Sequence, residues 1–372
     1  MNKEPLTFLD LFSGIGGFKI GLERAGFESI GYCDNDEYAN KLYSAYFNTE
    51  KELFFNDIRT IDTSKLPNFD ILCAGFPCQS FSIAGKRRGF EDTRGTMFFE
   101  VARILKDKRP RYFILENVKG LLNHNGGETF KTIIKVLTDL GYNLQWQLLN
   151  SKFFGVPQNR ERVYIVGCYG TECIGKIFPI QGSGTETINE IRKHPLTPKN
   201  AHQGSRVYNP DGIGSCLIAN AGSGKTGLYF INKPRFDKYK ASDTVETLKV
   251  GGDTPHVCVR NGTKKGFDTA GPGDGINLAY PQSKTRRGRV GKGCSQTLDT
   301  NCHMGTIDGC RIRRLTPLEC FRLQGFPDDM VQKAREIGLS DARLYKMAGN
   351  AVTVNVVEAV ARKLAEVCYD RT

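Results

Sequence analysis

The sequence predicts an α/β protein, with a larger domain built on a mostly parallel β-sheet that has helices on both faces. Through about residue 170, short apolar runs alternate with segments of helical periodicity, which is typical of repeated βα units. From about residue 180 the helical periodicity disappears, and short β-rich runs alternate with glycine-containing turns. That change predicts a second, smaller domain of hairpins or small twisted sheets.

Seven apolar runs of the larger domain are predicted as strands, over residues 6–11, 29–33, 53–55, 69–74, 112–115, 144–149 and 163–166. Between them, Met97, Val101 and Leu105 recur at helical spacing and predict a helix over 97–108. Another helix is predicted over 128–140, ended by Gly141.

Two further helices are predicted after residue 310. Thr316 is placed to cap the first, with Pro317 as the first helical residue and Glu319 as the reciprocal partner of the cap. The run 355–367 has an apolar face that must dock on another element, most simply on the first domain. We therefore expect a discontinuous domain of residues 1–185 and 340–372, and a second domain with a hinge over 186–339.

The net charge of +12 is unevenly distributed. Residues 191–310 hold 18 Lys/Arg against 9 Asp/Glu and so carry +9 of it. This suggests a module that binds a polyanion, although a solvated lysine-rich surface would have the same composition. No apolar run is long enough to span a membrane, and the N-terminus passes directly into a predicted strand without a signal peptide. The twelve scattered cysteines therefore predict reduced thiols in the cytoplasm.

One cysteine has the position of a nucleophile. Cys78 follows Pro77 in residues 75–82 (GFPCQSFS), directly after the buried run 71–74. Parallel sheets place their chemistry in the loops that follow the carboxyl ends of their strands. We interpret Cys78 as a nucleophile, although inert packing is the usual role of any one of twelve cysteines.

The first loop, residues 10–18 (DLFSGIGGF), follows the first predicted strand and opens a helix. Its glycines would let the backbone approach a ligand, although Lys19 stands where a strict dinucleotide fingerprint has its third glycine. Asp34 closes the next strand, in a position to bind ribose hydroxyls. The loop and this carboxylate together predict a nucleoside site.

Polar groups also end two later strands. Glu116 closes a buried run, where a carboxylate is costly to desolvate unless it binds something, so it is interpreted as a group that hydrogen-bonds to or protonates a substrate nitrogen. Arg160 and Arg162 bring two guanidinium groups to the same edge. A paired surface acid and a simple ion-pair network are the structural alternatives.

Two other patterns are set aside. Residues 219–226 (ANAGSGKT) resemble a loosened phosphate-binding loop, but a strand-like run follows where such a loop needs a helix. Cys294, Cys302, His303 and Cys310 cluster without the spacing of a structural zinc site.

Together, these segments closely resemble the cytosine-5 DNA methyltransferases, particularly those of type II restriction–modification systems. The resemblance rests on six blocks in family order, at residues 10–18, 75–82, 116–118, 158–162, 314–327 and 349–352, and covers roughly residues 5–170 and 311–365. It implies a Rossmann-like methyltransferase sheet with a β-rich target-recognition domain over 186–339. It also implies that the chain is an enzyme that methylates C5 of a flipped cytosine in a specific double-stranded DNA site.

The resemblance implies roles for the catalytic residues. Cys78 would add to C6 of cytosine, and Glu116 would contact N3 and the 4-amino group as charge develops. Arg162, with Arg160, would hold the base and the loop geometry. The methyl donor would be S-adenosylmethionine, with no metal, bound by Phe12, Ser13, Gly14, Ile15, Gly16, Gly17, Asp34, Asn35, Asp57, Ile58, Gly75, Pro77, Met97, Asn350 and Val352.

The same resemblance implies DNA contacts by Gln79, Ser80, Ser82, Lys86, Arg94, Gln158 and Thr297. The chain is expected to act as a monomer in the cytoplasm of a bacterial, archaeal or phage-infected cell, associated with the nucleoid through DNA. A cognate restriction endonuclease could act on the same site without direct contact.

Three alternatives remain from the sequence. An RNA-methylating branch of the same family is disfavoured by the length of the basic segment. A nicotinamide-dependent dehydrogenase is disfavoured by Lys19, and a DNA-binding protein without activity is disfavoured because Cys78, Glu116 and Arg162 are all present.

Overall fold

The computed structural model describes residues 4–77, 97–170, 177–182, 248–249, 255–280, 283, 285, 287–308 and 311–369. The chain divides into two compact units: the first is Met1–Val156, Arg160–Ile180 and Thr316–Thr372, and the second is Pro157–Asn159 and Gln181–Leu315. Residues 316–339 therefore group with the first unit, not with the second as the sequence-based boundary has it. The reason is visible in hydrogen bonds within that unit, such as Tyr46 to Asp329 Oδ1 at 2.9 Å.

The first unit is built on a seven-stranded sheet. Its strands are β1 (Thr7–Leu11), β2 (Glu28–Cys33), β3 (Leu53–Phe55), β4 (Ile71–Ala74), β5 (Tyr112–Val118), β6 (Tyr142–Asn150) and β8 (Glu161–Tyr169). They lie in the order β3-β2-β1-β4-β5-β8-β6. Pairing is parallel from β3 through β5, and β8 is antiparallel to both β5 and β6.

Eight α-helices belong to the described part of this unit: α1 (Gly17–Arg24), α2 (Glu37–Tyr46), α3 (Met97–Lys108), α4 (Glu128–Asp139), α5 (Pro317–Leu323), α6 (Asp328–Glu336), α7 (Asp341–Asn350) and α8 (Val354–Tyr369). The predicted cap of α5 is confirmed, because the Thr316 hydroxyl accepts the amide of Glu319 while the Glu319 carboxylate accepts the amide of Thr316.

Alternation along the strands builds two apolar cores. In β1, Leu9 packs in the core that contains α3 and α4, whereas Phe8 packs in the core that contains α1 and α8. Successive strand residues point to opposite faces, so a buried strand supplies both cores. The apolar face of α8 docks in the second of them through residues such as Val357, Val360 and Leu364.

The second unit contains short strands. They are β7 (Gln158–Asn159), β9 (Leu248–Lys249), β10 (Pro255–Arg260), β11 (Phe267–Ala270), β12 (Gly275–Asn277), β13 (Val290–Gly291), β14 (Ser295–Gln296), β15 (Met304–Asp308) and β16 (Arg311–Arg314). They form small sheets in the orders β11-β10-β9, β13-β12-β15-β16 and β14-β7. A small apolar cluster that includes Val257, Val259 and Ile276 packs between them.

The described cysteines differ in whether they form a disulfide. Cys168 in β8 is disulfide-bonded, whereas six other described cysteines are not in a disulfide: Cys33, Cys73, Cys294, Cys302, Cys320 and Cys368. The expectation of reduced thiols is therefore wrong at Cys168, where no spacing in the sequence signalled a bond. In the described ranges, no helix is long and apolar enough to cross a membrane.

Candidate active site

The carboxyl ends of β4 and β5 bring two predicted site residues together. In the parallel register of β4 and β5, Ala74 lies opposite Leu115. Gly75 and Glu116 are therefore the next residues along the two strands. A Cβ built on Gly75 would lie 3.6 Å from Glu116 Oε2 and 3.6 Å from Val352 Cγ1. A strand end, a buried carboxylate and the 349–352 turn therefore meet at one point.

The segment that leads into Cys78 is anchored to the strand that carries Glu116. Asn117 Nδ2 donates a buried hydrogen bond of 2.8 Å to the carbonyl oxygen of Phe76, and Pro77 is exposed. Asn117 thus holds the segment that follows β4 against β5, immediately before the predicted nucleophile. Cys78 itself, with the predicted DNA contacts Gln79, Ser80, Ser82, Lys86 and Arg94, lies outside the described residues.

Glu116 and Arg162 form an ion pair. Tyr164 lies opposite Glu116 in the antiparallel register, and Arg162 is two residues away on the same face of β8. Arg162 Nε lies 3.1 Å from Glu116 Oε1, but the geometry is not that of a hydrogen bond, and this oxygen has no hydrogen-bond partner within the described chain. Burial raises the pKa of Glu116 above its usual value, although the charges of Arg162 and Arg160 oppose the rise.

Arg160 has a different environment from Arg162. Its guanidinium is buried, and Nη2 donates to the carbonyl oxygens of Ala351 at 2.8 Å and Gly349 at 3.3 Å. Burial, reinforced by the charge of Arg162, lowers the pKa of Arg160 to about 9, so the group stays charged at neutral pH. Of the two arginines predicted at this edge, Arg162 faces the carboxylate and Arg160 holds the main chain of the 349–352 turn.

The first loop has a backbone conformation that favours glycine, and the space around Gly14 is open. Phe12, Gly14 and Gly16 have φ values of 58°, 54° and 84°, in the left-handed region that glycine adopts most readily. The carboxylate of Asp34 is oriented by the amides of Gly14 and Asp36, each at 2.8 Å. Burial raises the pKa of this carboxyl above its usual value.

The same loop contacts Val352 in the 349–352 turn. A Cβ built on Gly17 would lie 2.6 Å from Val352 Cγ2, so only a glycine lets these two segments approach. The hydroxyl of Ser13 is buried without a hydrogen-bond partner in the described chain. An oriented carboxylate, an unpaired hydroxyl and an open backbone fit a nucleoside-containing methyl donor.

Other predicted cofactor residues lie around this region with varied exposure. Asn35 and Asn350 are exposed, whereas Ile15 and Ile58 are buried. Asp57 Oδ1 lies 3.0 Å from Arg59 Nε, so its side chain already has a partner. Met97 is the first residue of α3 and packs against the core.

Gln158 does not have the environment of a DNA contact. It is fully buried, and its Oε1 accepts the amide of Leu298 at 3.0 Å. Its strand β7 pairs in parallel with β14, and Thr297 Oγ1 donates to the carbonyl of Asn159 at 2.9 Å. The prediction that Gln158 reaches DNA is therefore corrected, because its side chain is used inside the second unit.

Lys19 explains the departure from the dinucleotide fingerprint. Its ammonium is buried 2.5 Å from Glu23 Oε1 and 2.6 Å from Glu52 Oε1, so the side chain turns away from the loop. Sequence reasoning also left Asn117 without a role. A polar residue directly after Glu116 in a buried strand was the signal that could have identified it.

Comparisons with known proteins give one consistent result. Residues 6–366 match the family profile described as C-5 cytosine-specific DNA methylase. The type II methyltransferase M.HpaII of Haemophilus parainfluenzae is 37% identical over 98% of this chain and 90% of its own length. The orphan methyltransferase M.Rho11sI of Bacillus phage rho11s is 32% identical over 96% of this chain and 97% of its own length. The solved structure of the Entamoeba histolytica methyltransferase EhMeth shares the fold, with a TM-score of 0.54 at 18% identity over 99% of each chain.

Proposed function

We propose specific catalytic roles for the residues of this chain, which belongs to the C-5 cytosine-specific DNA methylase family and is a DNA (cytosine-5) methyltransferase. The family implies S-adenosylmethionine as the methyl donor and DNA as the substrate, and the match to DNA-acting relatives favours DNA over RNA. The residues that perform each step are our assignment.

Cys78 is assigned as the nucleophile. Its thiolate would form a bond to C6 of the target cytosine, which gives C5 the electron density to attack a methyl group. Support comes from the residues before it, because Phe76 is held by Asn117 and Pro77 is exposed at the edge where Glu116 lies. Loss of the C5 proton would then expel the cysteine and restore the aromatic ring.

Glu116 is assigned as the group that contacts N3 and the 4-amino group. Because burial raises its pKa, this carboxyl takes up a proton more readily than an ordinary glutamic acid, and it would donate that proton to N3 as negative charge builds on the ring during thiolate addition. Arg162, 3.1 Å from Glu116 Oε1, would orient this carboxyl and contact the base. The observation that carries the assignment is that Glu116 Oε1 has no hydrogen-bond partner among the described residues, because a buried carboxylate oxygen without a hydrogen bond is costly unless a ligand completes it.

The methyl donor is assigned to the cradle formed by residues 12–17, Asp34 and the 349–352 turn. When bound, it supplies an electrophilic methyl group to C5. Asp34 would accept hydrogen bonds from the ribose hydroxyls, and Ser13 Oγ, unpaired in the described chain, would gain a partner. We assign no metal to this chemistry.

The second unit is assigned as the target-recognition domain, with the basic excess of residues 191–310 on the phosphates. Thr297 remains a proposed DNA contact, although its hydroxyl donates to the carbonyl of Asn159 in this structure. The target cytosine would have to leave the duplex, at a cost of a few kcal/mol. We propose that Ser80, Ser82, Lys86 and Arg94 contact the DNA backbone around the flipped base. The enzyme would act as a monomer in the cytoplasm, as the modification partner of a restriction endonuclease or as an orphan counterpart.

Bisulfite sequencing of a bacterial genome that expresses the protein tests these roles. The wild-type chain should leave 5-methylcytosine at one recurring site, and Cys78→Ala should leave none while the purified variant still binds DNA. Cys368→Ala, at a cysteine of α8 that is not in a disulfide, is the matched control and should methylate normally. Methylation that persists in Cys78→Ala would refute the nucleophile assignment.

A further inference from the structure

The turn that joins α7 to α8 is held by side chains from other parts of the first unit. It follows Asn350, the last residue of α7, and contains Val352, which lies against Gly17 of the first loop. The carbonyl of Ala348 accepts Gln324 Nε2 at 2.7 Å, and the carbonyl of Ala351 accepts Arg160 Nη2 at 2.8 Å. Side chains from two other elements therefore hold the main chain on each side of Asn350.

Gln324 is the centre of this arrangement. It is fully buried at the end of α5, and its Oε1 accepts the hydroxyl of Thr353 at 2.9 Å while its Nε2 holds Ala348. Its own carbonyl accepts the amide of Val354 at 2.9 Å. One side chain thus connects the last turn of α7 to the first residues of α8.

Ser151 completes the connection to Arg160. The hydroxyls of Ser151 and Thr353 are 2.8 Å apart, and the amide of Ser151 donates to the carbonyl of Arg160 at 3.0 Å. The side chains of Ser151, Arg160, Gln324 and Thr353 are all buried. The hydrogen bonds run from Ala348 through Gln324, Thr353, Ser151 and Arg160, and return to the turn at Ala351.

An apolar core could have packed these helices without buried polar groups, each of which costs desolvation free energy. Hydrogen bonds are directional, whereas apolar packing is not. Bonds from these side chains to individual carbonyls therefore fix the path of the main chain where packing alone would not. The turn needs that accuracy, since Val352 Cγ2 comes within 2.6 Å of where a Cβ on Gly17 would be.

We infer that Ser151, Arg160, Gln324 and Thr353 form a polar clamp that positions the Asn350–Val352 turn and thereby sets the affinity for the methyl donor. The inference rests on the cofactor site proposed above. Arg160 acts here as a positioning residue for the cofactor, and Arg162 alone of the pair acts at the base.

The test separates donor binding from turnover. Gln324→Met keeps the side-chain volume and removes both side-chain hydrogen bonds, and Thr353→Val removes the hydroxyl. Each should raise the KM for S-adenosylmethionine, and the Kd for S-adenosylhomocysteine measured by calorimetry, by about tenfold. The kcat at saturating donor should change less than about threefold, because no group that touches the base is altered. Thr353→Ser, which keeps the hydroxyl, should leave both constants at their wild-type values.

Gln147→Met is the matched control. Gln147 also makes two hydrogen bonds to main chain, with the amide of Ile180 at 2.8 Å and its carbonyl at 3.1 Å, but it does not touch the clamp. It should lower the thermal midpoint as Gln324→Met does, without changing the Kd for S-adenosylhomocysteine.

An unchanged Kd in both Gln324→Met and Thr353→Val would overturn the inference and leave a purely structural role. If Gln324→Met does not fold, the comparison of Thr353→Val with Thr353→Ser decides alone. A wild-type protein that binds S-adenosylhomocysteine but transfers no methyl group would instead contradict the proposed function, so the two failures are distinguishable.

Discussion

The proposed base side and the proposed cofactor side of this sheet edge differ in how many of their polar atoms have hydrogen-bond partners. On the base side, Glu116 Oε1 is buried beside Arg162 without a hydrogen bond in the described chain. On the cofactor side, both oxygens of Asp34 accept main-chain amides, and the carbonyls of Ala348 and Ala351 accept side-chain donors.

Under the proposed function, this difference distinguishes the groups assigned to act on a substrate from the groups that hold the main chain in place. A group that must form new hydrogen bonds during the reaction is useful only if the free protein leaves it incompletely paired. A group that fixes geometry needs the atom that makes the holding contact to be paired, as Arg160 Nη2 is, although Arg160 Nε and Nη1 have no hydrogen-bond partner in the described chain. Ser13, unpaired on the cofactor side in the described chain, belongs to the first class by this reasoning.

Glu116→Gln should produce the largest effect that follows from this comparison. The amide cannot transfer a proton to N3, so kcat should fall by roughly 10²–10³-fold. The KM for S-adenosylmethionine should stay within about threefold of the wild type, because the clamp is intact. Steady-state kinetics with each substrate varied in turn measures both constants.

The pH dependence of activity in the same variant is a second test of the role of Glu116. Because burial raises the pKa of Glu116, the protonated carboxyl persists to higher pH than an ordinary glutamic acid, and activity that needs it should decline as pH rises through that pKa. This decline should be absent in Glu116→Gln. A donor KM that rises as in Gln324→Met would show that the two sides are not separable in this way.

Asp10 is expected to have a smaller effect, on stability and not on turnover. It is fully buried in β1, and its carboxylate has no side-chain hydrogen-bond partner in the described chain, yet it has no assigned substrate contact. Burial raises its pKa well above the usual value, as do the charges of Asp34 and Glu52, and Lys19 opposes the rise. The folded state therefore retains a proton that the unfolded chain releases, and stability is lost as pH rises from about 4 toward the folded pKa.

Asp10→Asn should remove this loss. Its stability relative to the wild type should increase with pH across that interval, by at most about 1.4 kcal/mol per pH unit, as measured by denaturant unfolding at several pH values. Asp139→Asn, which removes an exposed carboxylate of α4 that pairs with Lys135, is the control for the loss of one negative charge. A loss of turnover without a change in stability would instead indicate that Asp10 acts on a substrate.

The organisation of the first unit was accessible from the sequence because its signals are local. The predicted strand over 53–55 and the predicted helix over 97–108 have the observed bounds, since hydrophobic periodicity and the residues that end an element lie within it. The capping box at Thr316 and Glu319 was predictable for the same reason.

The clamp and the second unit were not accessible in this way. Nothing near Gln324 in the sequence signals that its side chain reaches Ala348 and Thr353, because those contacts depend on how α5 and α8 pack. Gln158 looked like a polar residue at a site, and its burial against Leu298 depends on the pairing of β7 with a strand far along the chain. Long-range pairing of two-residue strands leaves little periodic signal.

The covalent step at Cys78 is the central claim, and trapping the adduct tests it most directly. A duplex synthesised with 5-fluorocytosine in place of every cytosine needs no knowledge of the target site, and the fluorine at C5 cannot leave as a proton, so the cysteine cannot be expelled. After incubation with S-adenosylmethionine and digestion, mass spectrometry should find the peptide containing Cys78 joined to a methylated fluorocytosine nucleotide. An adduct on a different residue, or no adduct from protein that methylates ordinary DNA, would contradict the account.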